Sequence, residues 1–468
     1  MPSDARRQFL RHAVSLGLAT SLVGGLGTLG GCSTRTRRSS PADLALRPVR
    51  DATSGLPLLK LPPGFRYFTF AWAGEALPGG GKIPGNADGM GLVAASGDVV
   101  TLIRNHEIPD AAGTFAPDGE AYDPACGGGC VSLRVDLAAE RLVSVAPALT
   151  GTLVNCAGGI TPWGTWISCE EIVVTDDQVR PNTLGLRDQR LAKPHGLAFE
   201  VSADGAPRAR PIPDMGLFRH EAVAFDSVTG QAYLTEDRDV IAGFYRFTPH
   251  KPGDLAAGGT LEMLAAAGAP DLRRGLRVGQ RWPVRWAPIA DPGLGHSPGT
   301  RNQGGVVHQG LAGGGSRFVR LEGCLERADG TWFTSTSGGD IGSGQVWRYD
   351  PRALELKLMF EVDDRSLMDY PDNIGHSPGS GAPARGGMVI CEDSLIGRRQ
   401  RLKWLASDGR LLTLAENNEA VESIHDAASE WAGCCVSPDG RWLFANVFRP
   451  GFTVAITGPW DDLLEESR

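Results

Sequence analysis

Along most of this chain apolar residues come in short runs, and turn residues separate them. Val131-Ser-Leu-Arg-Val135, Gly243-Phe-Tyr-Arg-Phe247, Thr331-Trp-Phe-Thr-Ser335, Gln345-Val-Trp-Arg-Tyr349 and Arg441-Trp-Leu-Phe-Ala445 carry the β-branched and aromatic residues that suit a pleated, half-buried surface. Asp-Gly pairs recur between such runs, beginning at Asp118, Asp204, Asp329, Asp408 and Asp439. Each offers a side chain that caps a turn, followed by a residue free to take positive φ. With 63 Gly and 32 Pro and few helix-period stretches, the pattern predicts an all-β domain. The loose repetition of strand, turn and strand favours a β-propeller over a sandwich or barrel, with six blades as the expected number and small helical insertions. Leu255 to Leu276, rich in Ala and Leu, is predicted to hold a helix over one face. The repeated Gly-His-Ser-Pro-Gly at 295–299 and 375–379 reads as a shared turn habit or as two equivalent loops near one mouth.

The first residues follow other rules. Arg6-Arg7-Gln-Phe-Leu10 precedes an uncharged, Gly-rich apolar run from Ala13 to Gly31, the pattern of a twin-arginine export signal over 1–32. Leu29-Gly-Gly-Cys32 resembles a lipobox, so Cys32 is a candidate for acylation and a lipid anchor; a plain cleavage site is the alternative. Residues 33–54 are expected to be a flexible tether, and 55–468 a single catalytic propeller in the periplasm or at the cell surface. Residues 1–50 hold eight Arg against two Asp while the chain totals −8, which leaves a body near −14. So acidic a body is a poor partner for nucleic acid, and an anionic substrate would need bound cations to reverse the local field. A monomer is expected.

Against this frame the apolar runs share an unusual ending. Thr101-Leu-Ile-Arg-Asn-His-Glu107, Thr165-Trp-Ile-Ser-Cys-Glu-Glu171, Gly216-Leu-Phe-Arg-His-Glu221, Ala232-Tyr-Leu-Thr-Glu-Asp237, Phe318-Val-Arg-Leu-Glu322 and Met388-Val-Ile-Cys-Glu-Asp393 all run into acids. Neighbouring carboxylates raise one another's pKa unless they share a cation. Radial blades can bring such distant acids to one mouth of a central channel, where they would form a hard-oxygen metal site. Cys169, abutting Glu170 and Glu171, is the expected soft ligand. Cys156, Cys324 and Cys391 read as packing residues, Cys434-Cys435 as core thiols, and Cys126 with Cys130 as a possible disulfide loop after export.

These motifs, in their order, resemble the PhoX-type alkaline phosphatases. The likeness runs from about residue 55 to 460 through Asn105-His-Glu107, Asn155-Cys-Ala-Gly-Gly159, Thr161-Pro-Trp-Gly164, Cys169-Glu-Glu171, Arg219-His-Glu221 and Thr235-Glu-Asp237. It continues through Gly243-Phe-Tyr-Arg246, Arg320-Leu-Glu-Gly323, Gly344-Gln-Val-Trp347, Pro371-Asp-Asn373, Cys391-Glu-Asp393 and Ala455-Ile-Thr-Gly-Pro-Trp460. The resemblance implies a propeller hydrolysing small phosphomonoesters with ferric iron and calcium at the channel mouth. It implies Glu107, Cys169, Glu170, Glu221, Asp237, Glu322, Asn373 and Asp393 as metal ligands, with Arg320, Cys169 and Glu322 in the catalytic set. Arg320 would grip phosphate; an ion pair with Glu322, two residues on along a strand, is the plainer role. His106, His220 and Glu171 are expected to orient ligands from behind.

Two other classes stay open from the residues alone. One is a calcium-dependent propeller hydrolase of lactonase type, against which the soft thiol argues, and the other is a lipid-tethered binding propeller without chemistry. The chain is shorter than the better-known phosphatases of the family, so loops that roof the site could be missing.

Overall fold

The computed structural model describes residues 45–465 apart from 110–112, 117–120, 175–190, 205–207, 296–303, 382–385, 395–399 and 419–428. The segment expected to be an export signal, Cys32 and the first Gly-His-Ser-Pro-Gly segment beyond Gly295 lie outside those residues.

Strands dominate, and the innermost strands define the architecture. Ala87–Ser96, Asn155–Ile160, His220–Phe225, Leu321–Arg327, Pro371–His376 and Trp431–Val436 pack side by side in sequence order, and the last returns to the first. From each inner strand an antiparallel meander runs outward, so the molecule is a β-propeller with six inner strands around a central channel. Hydrogen bonding between the outer strands Arg281–Pro288 and Glu355–Glu361 fuses the third and fourth blades into one nine-stranded sheet.

Closure uses the beginning of the body. Arg66–Phe70 pairs with Phe452–Thr457 as the outermost strand of the last blade, joining the two ends of the propeller. Leu59–Leu61 adds to Leu411–Asn417 at the edge of the fifth blade, and Arg47–Val49 adds to Leu59–Leu61. Residues 47–54 are therefore not tether. Asp51 is buried and accepts the Thr69 amide at 2.8 Å and its hydroxyl at 2.7 Å, pinning the segment to the last blade. The Ala-rich run after Leu255 is not a helix either. It holds one 3-10 turn, Leu255–Ala257, and then the strand Gly259–Ala266, whose pairing on both sides overrides the local helix propensity of alanine. Among the described residues the α-helices are short, Val306–Ala312 (α1) and Trp460–Glu465 (α2).

Between blades, aromatic side chains fill the wedges. Phe244 of the third blade stacks on Phe333 of the fourth at 4.1 Å, and the Trp72–Phe452 pair of the last blade, stacked at 4.2 Å, packs in one cluster with Leu402 and Leu414 of the fifth. At the axis the inner strands touch backbone to backbone. A Cβ on Gly159 would strike the Val223 carbonyl, and one on Gly433 the Asp88 carbonyl. Small residues at the axis therefore keep the channel narrow, and a cavity of about 310 Å³ remains, lined by residues such as Gly91, Ala224, Cys324 and Cys435.

Candidate metal centre and active site

Each inner strand carries the same irregularity. Its pairing with the second strand shifts between Ala87 and Met90, Asn155 and Gly158, His220 and Val223, Leu321 and Cys324, Pro371 and Ile374, and Ala432 and Cys435. A β-bulge re-aims a side chain that regular pleating would place elsewhere. In the first five blades the residue released in this way is Asp88, Cys156, Glu221, Glu322 or Asp372; in the sixth the equivalent position is Gly433.

A second ring comes from the other side of each hairpin. The residue just after the second strand is Glu107, Glu171, Asp237, Thr336, Asp393 and Phe448 in blade order. The last residue of that strand pairs with the start of the inner strand: His106 with Ala87, Glu170 with Asn155, Glu236 with His220 and Glu392 with Pro371. Consecutive side chains on an extended chain point in opposite directions, so only one of two adjacent acids can enter the channel.

That rule separates the paired acids. Glu170, Glu236 and Glu392 turn back into their own blades. Glu170 accepts the amides of Leu153 and Gly196 at 2.8 Å and of Leu197 at 3.2 Å, and its Oε1 lies 2.6 Å from His195 Nδ1. Glu236 accepts the Tyr245 hydroxyl at 2.7 Å and the Gly243 amide at 3.0 Å. Glu392 is held by Arg401 at 2.7 and 2.8 Å. Their successors Glu171, Asp237 and Asp393 take part in the channel cluster.

The cluster can be stated in ligand atoms. One atom each from Cys156, Glu171 and Glu221 lie within 4.8 Å of one another, and so do atoms from Glu221, Glu322 and Asp372. Glu221 belongs to both groups. It is completely buried, yet neither of its carboxylate oxygens has a hydrogen-bond partner. Asp88 Oδ1 is buried and unpartnered as well. Burial, followed by repulsion from neighbouring carboxylates, pushes Asp88, Glu221 and Glu322 well above the ordinary range. Asp372 rises to about 8 through burial and the nearby Asp393. Burial lifts Glu107 to about 7 although Arg449 and Arg219 oppose it. For Glu171 burial again dominates and outweighs Arg219, which ion-pairs with its carboxylate. A buried carboxylate with two orphaned oxygens is costly unless a cation completes it, so these residues fit shared metal ions.

Arg320 stands at the entrance to this ring. Its Nη2 lies 2.6 Å from Glu322 Oε1 and 3.6 Å from Asp393 Oδ2, and its Nε lies 3.3 Å from Asp237. Its backbone is left-handed at φ 41°, uncommon for a side chain of this size. Bonds from its amide to the Arg238 carbonyl and from the Thr336 amide to its own carbonyl hold it there. Burial alone would lower the guanidinium's pKa, but Glu322, Asp237 and Asp393 outweigh it and keep the cation charged.

Several expected roles change with this geometry. Cys169 is the residue before Glu170, and its side chain enters the packed cluster around Ile167, Ala198 and Met263 rather than the channel. Burial pushes its thiol up, and the sulfur in reach of the carboxylates is that of Cys156. Glu170 and Glu171 exchange places: the first braces the blade, the second faces the channel. Asn373 is committed to protein partners, donating to Asp372 Oδ1 at 2.8 Å while its Oδ1 takes the Gly433 amide at 2.8 Å. His106 and His220 bond the carbonyls of Gly85 and Gly216, each at 2.8 Å, and His220 stacks on Phe218 at 3.7 Å. Burial lowers both imidazoles, His220 to about 4, so they are neutral struts for the turns that present Glu107 and Glu221. Cys126 and Cys130 are not paired with each other: Cys130 donates to Asn105 Oδ1 at 3.0 Å, and Cys126 faces His195 at 3.4 Å.

Asp88, Cys156, Asp372 and Glu430 were absent from the expected ligand set. Glu430, just before the last inner strand, is raised by burial and by Asp393. One signal existed for two of these: Asp88-Gly89 and Cys156-Ala157 share with Glu221-Ala222 and Glu322-Gly323 an acid or thiol followed by a small residue. The small residue is what close approach of the inner strands demands.

Comparison with known proteins bears on what this geometry does. No curated protein matches the chain. Among solved structures, the Pseudomonas fluorescens PhoX in complex with vanadate, a transition-state analogue, aligns with a TM-score of 0.61 at 17% identity, covering 89% of this chain and 97% of that one. A putative 6-phosphogluconolactonase from Bacteroides uniformis aligns at 0.36 and 10% identity over 78% of this chain and 81% of that one. The PQQ domain of a Coprinopsis cinerea pyranose dehydrogenase aligns at 0.35 and 9% identity over 85% and 97%. The PhoX likeness at this identity speaks for the fold. The family model described as alkaline phosphatase PhoX matches residues 124–451, which spans five of the six inner strands and most of the channel acids. With that match over most of its length, this chain belongs to the PhoX alkaline phosphatase family, and it is a phosphatase acting on phosphoric monoesters.

Proposed function

We propose that the channel cluster is a mixed iron and calcium centre, and that the protein is an exported, metal-dependent hydrolase of small phosphomonoesters. The single observation that carries the metal reading is Glu221, buried, orphaned at both oxygens and common to two groups of ligand atoms. The groups differ in chemistry. Cys156, Glu171 and Glu221 combine a thiolate with carboxylates and suit iron, whereas Glu221, Glu322 and Asp372 offer oxygen only and suit calcium. Asp88, Glu107, Asp237 and Asp393 would complete the hard-oxygen shell. Such ions, when bound, spread the charge of the phosphoryl oxygens and supply an oxygen nucleophile near neutral pH.

The protein's own residues then divide the remaining work. Arg320 presents a rigid fork of donors beside the carboxylates, placed to take equatorial phosphoryl oxygens once cations relieve its ion pairs. Arg219, against Glu171, would add a second positive group at the same rim. Struts such as Asn373, His106 and His220 keep the ligand-bearing turns from relaxing.

Elemental analysis of the purified protein, with p-nitrophenyl phosphate hydrolysis before and after chelation, tests the reading. Iron together with calcium, activity lost to chelator and restored by the metals, are the expected results. Calcium without iron, or turnover indifferent to chelator, would remove it. Export is tested separately: Arg6→Lys with Arg7→Lys should hold the protein in the cytoplasm, and Cys32→Ala should release any lipid-anchored form.

A further inference from the structure

Outside the channel the described residues contain one other group of potential ligands, Asp123, Cys126 and His195, whose ligand atoms lie within 4.8 Å of one another. All three are buried, at no more than 1% exposure. They come from the segment before the third strand of the first blade and the segment before the third strand of the second. His195 Nε2 stands 3.4 Å from Cys126 Sγ and 3.7 Å from Asp123 Oδ2. Zinc bonds of about 2.0–2.3 Å at tetrahedral angles give ligand-to-ligand edges of roughly 3.3–3.6 Å. The second distance is long for a hydrogen bond and close to such an edge.

The other face of the imidazole supplies an independent observation. Nδ1 lies 2.6 Å from Glu170 Oε1, and Glu170 is fixed by main-chain amides of Leu153, Gly196 and Leu197. A carboxylate behind Nδ1 sets the tautomer that leaves Nε2 as a lone pair, the arrangement found behind histidines that ligate metals. Asp123 is fixed in the same manner by amides of Ala125 at 3.0 Å, Ala192 at 2.5 Å and Lys193 at 3.3 Å.

We infer that Asp123, Cys126 and His195 form a zinc site, with Glu170 orienting the histidine and a fourth position left for water. On binding, the Cys126 thiol proton and any Nε2 proton are released to solvent, and one thiolate plus one carboxylate neutralise the dication. The site fastens the loops of two neighbouring blades at the residue next to Glu171, so it is a structural clamp beside the channel rather than part of its chemistry.

Cobalt(II) is the probe, because a thiolate ligand gives it an ultraviolet charge-transfer band that oxygen ligands do not. The full-length protein carrying Cys156→Ser, which removes the channel thiol, should still take up cobalt or zinc and show the band. Adding Cys126→Ser should abolish the band and remove about one equivalent of zinc, while Asp123→Asn or Glu170→Gln should weaken zinc binding roughly 10–100-fold. Loss of the band already with Cys156→Ser, or zinc content unchanged by Cys126→Ser, would overturn the assignment. Circular dichroism of the Cys126→Ser protein at low temperature guards against misfolding, and a folded variant with normal zinc counts against the site. None of these readouts depends on phosphatase turnover.

Discussion

Glu170 and Glu171 are neighbours in sequence, both buried, and belong to opposite kinds of environment. Glu170 accepts three main-chain amides and faces an imidazole. Glu171 faces a channel where Cys156 and Glu221 also point and where Glu221 has no partner at all. Burial is common to both regions and decides nothing. What separates Glu170 from the carboxylates of the channel is whether the protein itself completes the carboxylate's hydrogen bonds.

The sharpest way to break that contrast is at Glu221. Glu221→Gln should lower phosphomonoesterase activity by about a thousandfold or more, several kcal/mol in the transition state, and reduce the bound metal. Steady-state kinetics with metal analysis checks this, and an active, metal-replete variant would dissolve the distinction. The two thiols come next. Cys156→Ala should lose iron and activity together, while Cys169→Ala should keep both and lose about 1 kcal/mol of stability from its small cavity. Equal effects of the two substitutions on iron content would return Cys169 to the site.

Glu170→Gln tests the brace. Exchanging one acceptor oxygen for an N–H donor opposite main-chain amides and His195 should destabilise the fold by about 3 kcal/mol, seen as a lower urea midpoint. The smallest effect is the pH response of the metal-free protein. Glu107 at about 7 and Asp372 at about 8 are raised in the folded state, so the native protein holds protons that the unfolded chain has released. Stability should then be highest in mild acid, fall as pH rises from about 4 to 8, and level off above. Adding calcium should flatten that slope; thermal melts of the apo and calcium-loaded protein give the comparison.

Much of the channel could be read one residue at a time. Glu107, Asp237 and Asp393 stand out because apolar strands run straight into them; Glu221 and Glu322 stand out after short apolar runs too, but in the fold they open inner strands instead of ending others, and Arg320 precedes one of them. The errors have a common physical origin. Cys169-Glu170-Glu171 offers three candidates in a row; the parity of an extended chain separates Glu170 from Glu171, while Cys169, one step further back along the strand, is taken up by the packed core around Ile167 and Met263. That parity depends on where pairing with Asn155 begins. Asp88 and Asp372 were missed for a related reason: a bulge turns them inward, and bulges follow from pairing across the hairpin more than from local composition.

The chain's own order of residues determined a great deal: short strands, hence an all-β body; acids at strand ends, hence a negative channel; and a run of motifs that marks the family. These are properties of local composition and spacing, which pattern alone carries. The fold decided the rest. Which of two adjacent acids meets a cation, which cysteine joins it, and whether a buried carboxylate has partners are all set by register and blade contact. Those are pairings across each hairpin and contacts between blades, some of them between opposite ends of the chain, and local pattern carries neither.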